Sequence, residues 1–111
     1  MTFRHTFTIY LLVIYLMTPE GKFKAQVKKI ISEMFPGCYM HEMKAGAQGI
    51  PDTLIIFGER WALLEFKESA KAKHRPNQDY YIQKFNEMGF ASFIYPENVD
   101  EVLTDLERWF E

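Results

Sequence analysis

The apolar positions along this chain change period several times, and each change marks a structural element. Phe7 to Met17 (FTIYLLVIYLM) is almost continuously apolar and rich in β-branched residues, with Arg4 and His5 just ahead of it. A membrane helix needs about 20 such residues, so this stretch does not span a bilayer unaided. Thr18-Pro19-Glu20 follows where a signal peptide would carry small residues for cleavage, so secretion is not expected. Two readings of residues 1–17 stay open. They form an extra strand or apolar segment packed on the domain or on a second copy, or they are an upstream translation ahead of an initiator at Met17.

From Thr18 the pattern becomes helical. Thr18 suits the cap, Pro19 the first helical position, and Glu20 the positive end of the helix dipole. Phe23, Val27, Ile30, Ile31 and Met34 then recur at helical spacing, with Lys22, Lys24, Lys28 and Lys29 on the other faces, until Pro36-Gly37 ends the run. Cys38–Met43 reads as a strand and Lys44–Gly49 as a loop of small residues. Ile50–Phe57 reads as a second strand whose Leu54–Phe57 run looks buried on both faces, and Trp61–Lys67 as a third after the Gly58-Glu59-Arg60 turn. These three form an antiparallel meander. Pro76 opens a second helix to about Met88, with Tyr80, Tyr81, Ile82, Phe85 and Met88 as its apolar positions and Gly89 as its stop. Ala91–Tyr95 is a fourth strand, and Asn98 caps a last helix over 99–110 that points Val102, Leu103, Leu106, Trp109 and Phe110 inward. The order is α-β-β-β-α-β-α, an α/β domain over residues 18–111.

Composition changes this picture little. With 111 residues, 48% of them apolar and 25% charged, the chain accommodates one ordinary core and no repeat array. Its only cysteine, Cys38, excludes an internal disulfide and a cysteine-based zinc site and is expected to pack in the core. A reducing, cytoplasmic setting fits this usage. The net charge of −2 conceals an asymmetry: residues 1–78 hold 11 Lys/Arg against 7 Asp/Glu, and residues 79–111 hold 2 against 8. The first portion is basic enough to meet an anionic partner.

The chemistry concentrates on strands two and three. Glu65 and Lys67 alternate onto one face, and a hairpin around Gly58 brings Asp52 beside Glu65. Two carboxylates on otherwise apolar strands repel one another, and a divalent cation removes that cost. Oxygen donors, including the backbone carbonyl of Phe66, suit Mg²⁺, with Mn²⁺ as a substitute. Lys67 is placed to stabilise a hydroxide nucleophile or a pentavalent transition state, so the expected reaction is metal-dependent phosphodiester hydrolysis. The plain rival is an ordinary charge pair between Glu65 and Lys67, contributing about 0.2–1 kcal/mol. It leaves unexplained why Asp52, Glu65 and Lys67 are the charged residues that interrupt these two strands.

These residues also carry a resemblance. Gly49-Ile50-Pro51-Asp52, followed after a hairpin by Glu65-Phe66-Lys67, resembles the PD-(D/E)XK nuclease superfamily. The element order is similar to its restriction-endonuclease-like α-β-β-β-α-β core, a mixed sheet flanked by helices. The VRR-NUC type of small nuclease is the branch it resembles, with Glu20 in the first helix and Pro76-Asn77-Gln78 opening the second. The similarity spans roughly 18–106, and residues 1–16 match nothing in the pattern. It implies that Asp52 and Glu65 are metal ligands and that Lys67 is the catalytic lysine. By the same token Glu20 is a further carboxylate, acting directly or through water, and Gln78 orients water or phosphate. It also implies a homodimer that cuts branched DNA such as Holliday junctions, with no membrane and no small-molecule cofactor.

Around this centre, Lys44 and Gln48 precede Asp52, and Lys71, Lys73, His74 and Arg75 precede Gln78, a flanking set suited to phosphate contacts. The lysines of the first helix either extend that footprint or form its solvated face. His41, alternating with apolar neighbours, is expected to be half-buried or to touch phosphate rather than to bind metal. With no base-reading motif in the sequence, recognition by nucleic-acid shape is expected. A non-catalytic binding domain and a nuclease acting on RNA are the alternatives.

Overall fold

The computed structural model describes residues 19–44 and 46–111, without the side chain of Glu20. The readings of residues 1–17 and the cap at Thr18 lie outside the described residues. Seven elements follow in the expected order: α1 (Pro19–Met34), β1 (Tyr39–Glu42), β2 (Thr53–Phe57), β3 (Arg60–Phe66), α2 (Gln78–Met88), β4 (Phe90–Ile94) and α3 (Val99–Phe110). No helix among the described residues is long and apolar enough to cross a membrane.

The sheet runs β1-β2-β3-β4. β1 with β2 and β2 with β3 are antiparallel, whereas β3 and β4 are parallel and so need a crossover, which α2 provides. Alternation along the strands then sorts residues onto two unequal faces. Ile55, Ala62, Leu64, Phe66 and Ile94 join Val27, Ile30 and Ile31 of α1 and Val102, Leu103 and Leu106 of α3 in one buried cluster. Aromatic edges close its far end, where Phe110 meets Phe35 and Phe57 at 5.0 and 5.7 Å between ring centroids.

The opposite face carries Leu54, Ile56, Trp61 and Leu63, and α2 meets it through Phe85 against Trp61 (6.5 Å). The expectation that Leu54–Phe57 is buried on both faces is therefore corrected: Ile56 is 40% exposed. Antiparallel sheets need only one dry face, and this one is dry on the side of α1 and α3. The apolar positions of the second helix are not all covered either. Tyr80 and Met88 are 59% and 64% exposed, and the buried residue of α2 is the polar Gln78.

Boundaries shift where local chemistry intervenes. β2 starts at Thr53 rather than Ile50, and α2 starts at Gln78 because Asn77 adopts a left-handed conformation (φ 71°). Gly89 stops α2 in an extended conformation, and its lack of a side chain matters for packing: a Cβ there would come within 2.6 Å of the Trp61 ring. Asn98 occupies the cap position of α3, yet its amide turns back to β4, accepting from Tyr95 N–H (2.8 Å) and donating to Phe93 O (3.1 Å). Trp109 packs against the core but stays half-buried, with Nε1 donating to Trp61 O (2.9 Å).

Gly49 holds the loop before β2 against the start of α2. Its φ is +95°, and an added Cβ would lie 2.7 Å from the Asn77 carbonyl carbon. Gly49→Ala is expected to cost at least about 1–3 kcal/mol from backbone strain alone, read as a lower midpoint in denaturant unfolding.

Candidate active site

The β2–β3 register pairs Thr53 with Leu64, so Asp52, one residue earlier, falls beside Glu65. Both line a cleft of about 640 Å³ at the end of the sheet, bounded by residues 43, 44 and 46–50 on one side and by Lys73, Arg75 and Gln78 on the other. Asp52 is held from three directions. Its Oδ1 accepts from the wholly buried Thr53 hydroxyl (2.7 Å), its Oδ2 accepts from Phe66 N–H (3.3 Å), and its backbone carbonyl accepts from Met43 N–H (2.8 Å).

Across the cleft one amide organises two charges. Gln78 Oε1 accepts from Lys67 Nζ (2.7 Å) and from Arg75 N–H (2.8 Å), while Gln78 Nε2 donates to Glu65 Oε2 (3.0 Å). The opposite amide orientation would set an NH₂ against two donors, so the network itself decides it. Lys67 Nζ also donates to Lys73 O (3.1 Å). Glu65, Lys67 and Gln78 are all at most 8% exposed.

The expected nucleic-acid residues divide into two groups. Lys44, Gln48, Lys73 and Arg75 line the cleft walls or are exposed at its rim, whereas Lys71 and His74 do not line it. His74 instead stacks on Phe93 (4.1 Å) and pairs with Asp79 (2.8 Å). His41 is exposed and stacks on Tyr39, away from the cleft. Glu20 lies in the first turn of α1, but its side chain is outside the described residues.

One participant escaped sequence reasoning. Glu42 accepts from Lys24 (2.6 Å) and Lys28 (2.9 Å), and Lys24 also lies 3.6 Å from Asp52 Oδ1. These two lysines are thus tied to the sheet rather than spread as a solvated face. The available signal was alternation on β1, which puts Glu42 on the same face as Met40, toward α1.

A comparison with solved structures finds a domain similar to this chain at a TM-score of 0.57 and 26% identity, covering 78% of this chain and 96% of that one. That domain is a VRR_NUC domain. No family model matches the sequence, and no curated protein does either. The VRR_NUC domain belongs to the PD-(D/E)XK nuclease superfamily, so the likeness supports a nuclease domain, and the mixed four-stranded sheet agrees with its restriction-endonuclease-like core.

Electrostatics in this VRR_NUC-like cleft favour a cation. Burial, and then the neighbouring Asp52, raise the Glu65 carboxyl to about 7, against the pull of Lys67. Burial also raises Asp52, although the Thr53 hydroxyl, Lys24 and Phe66 N–H oppose it. Among the described residues no three His, Cys, Asp or Glu side chains come together as a metal cluster. Mg²⁺ commonly takes one or two carboxylates and keeps several waters, so the pair Asp52 and Glu65 with a backbone oxygen fits such an ion.

The raised Glu65 carboxyl fixes a sign. Below about 4.5, its ordinary value, folded and unfolded chains both hold the proton. Between about 4.5 and 7 the unfolded chain releases it first, so without divalent metal stability falls as pH rises through this window. Glu65→Gln is expected to flatten that fall and to raise the melting temperature at pH 8, measured by thermal unfolding in EDTA. Added Mg²⁺ is expected to narrow the gap between the two proteins.

Proposed function

We propose that this chain is a divalent-metal-dependent endonuclease that hydrolyses DNA phosphodiester bonds and prefers branched or otherwise structured DNA, acting as a homodimer in the cytoplasm. The observation that carries the reading is the buried Glu65–Gln78–Lys67 network facing Asp52 across a cleft rimmed by basic residues. Burying an ammonium and a carboxylate beside a second, half-buried carboxylate for structural purposes alone is a poor use of a small core, since apolar residues of similar volume are often as stable or more so.

Asp52, Glu65 and the Phe66 carbonyl would hold Mg²⁺ or Mn²⁺, with Glu20 contributing directly or through water. When bound, such an ion screens phosphate charge and lowers the pKa of a water. The remaining work belongs to the chain. Lys67, fixed by Gln78 Oε1 and Lys73 O, presents a positive charge where a hydroxide nucleophile or the pentavalent phosphorus accumulates negative charge. Gln78 keeps that ammonium and the Glu65 carboxylate apart by a fixed spacing, and Arg75 anchors Gln78 through its backbone N–H. Lys44, Gln48, Lys73 and Arg75 contact flanking phosphates, which sets position rather than sequence.

The test is a cleavage panel of four-way junction, flap, duplex, single-stranded DNA and RNA with Mg²⁺ or Mn²⁺. A branched DNA is expected to be cut fastest, EDTA to stop the reaction, and Asp52→Ala and Lys67→Ala each to lower the rate by at least about 100-fold. Survival of every substrate overturns the reading, and cleavage of RNA alone transfers it to that substrate.

A further inference from the structure

Next to the polar cleft lies a second, nearly all-apolar groove of about 440 Å³, formed by Leu54, Trp61, Leu63, Phe85 and Met88. The two cavities adjoin, because Met43, Gly46, Ala47 and Ile50 line both. They also share a floor strand. On β3 the residues facing this side read Trp61, Leu63, Glu65, and on β2 Leu54 pairs with Leu63. One face of one hairpin therefore changes from carboxylate to hydrocarbon within a single strand repeat, about 6.7 Å. Its outer wall is open to solvent, with Met88 64% exposed.

We propose that this groove receives an unstacked nucleobase of the strand being cut, one nucleotide from the phosphate in the cleft. The proposal rests on the nuclease reading and supplies its structure preference. A backbone running over Asp52 and Glu65 carries its next base above Leu54 and Leu63, where Trp61 and Phe85 offer aromatic surface. A base inside a continuous duplex is stacked on its neighbours and unavailable, whereas a base at a fork, flap or junction is released at small cost. Among the described residues the lining holds no charged, hydroxyl or carboxamide side chain to read a base edge, so the groove accepts any base by apolar and aromatic contact. The volume suits such a guest, small-molecule sites commonly measuring about 300–1,000 Å³. Shape selection without sequence selection follows from the composition of the wall.

The experiment compares binding of the full chain to a forked DNA, to the same fork with one abasic nucleotide moved stepwise along the unpaired arm, and to continuous duplex, with Ca²⁺ in place of Mg²⁺. Met88→Ser and Leu54→Ala are carried alongside, their folding checked by circular dichroism and their mass by light scattering. Base–aromatic contacts of this kind commonly change affinity by about tenfold per base. The fork is expected to bind about tenfold tighter than duplex, a single abasic position to lose that advantage whichever base it replaces, and both variants to lose it while binding duplex as before. Met88→Ser, at an exposed position, keeps the test open should Leu54→Ala unfold. If abasic scanning shows no sensitive position, or the variants keep the fork preference, the base site is overturned while cleavage still supports the nuclease reading. Variants that only change the oligomeric mass assign the groove to a second copy and overturn it as well. Absence of both DNA binding and cleavage removes the nuclease reading and the base site together.

Discussion

The buried amide of Gln78 is the contact on which the site depends. It is 4% exposed, and it joins two oppositely charged residues of β3 to the first turn of α2. Without it, Lys67 would keep one backbone carbonyl as its recorded partner and Glu65 would lose a donor in a place where water is scarce. A buried charge stripped of its hydrogen bonds changes protonation or reorganises its surroundings. The placement of Gln78 therefore constrains more than chemistry. Asn77 takes a left-handed turn to bring it in, Arg75 N–H pins its oxygen, and Gly49 leaves room for the backbone that carries it.

The other half of the site is held by an independent set of contacts. Thr53, fully buried, donates to Asp52, while Glu42 gathers Lys24 and Lys28 from α1. Asp52 thus belongs to the layer formed by α1 and β1, and Glu65 to the layer formed by β3 and α2. They meet only because the hairpin register places them opposite each other. Partial burial opposes the charged form of Lys24, but Glu42 and Asp52 outweigh it and raise its pKa, so a fixed positive charge stands beside Asp52 at any working pH. That ammonium offsets part of the repulsion between the carboxylates while both sides of the cleft keep their geometry.

Much of this was legible in the sequence, for identifiable reasons. Element order followed from period and punctuation, and the proximity of Asp52 and Glu65 followed from a hairpin whose turn is marked by Gly58. That Gln78 belongs to this site was reached only by resemblance, and as a group orienting water or phosphate, because no local rule brings the start of α2, the fifth element, beside Glu65 and Lys67. Burial of the second face was misjudged, since an apolar run such as Leu54–Phe57 looks the same whether its outer side is covered or open. The apolar stripe of α2 misled in the same way: Tyr81 and Phe85 stack on one another at 5.7 Å along the helix rather than entering the core. Glu42 was passed over beside His41 because a histidine draws attention as chemistry, whereas the alternation of β1 turns the histidine outward and the glutamate toward α1.

Charge placement ties these observations to the mode of substrate binding. Of the basic residues in the first 78 positions, Lys24 and Lys28 are spent on Glu42, and Lys67 is sunk in the floor. What faces a ligand at the cleft rim is Lys44, Lys73 and Arg75, a small set beside a net charge of −2. Under the proposed function, phosphate contacts so few in number would release few counterions, so electrostatics alone would yield modest affinity with a shallow salt dependence. In that reading selectivity comes from contacts that are not ionic. The surface next to these cations that can supply them is the apolar continuation of the same hairpin, where Glu65 gives way to Leu63, paired with Leu54.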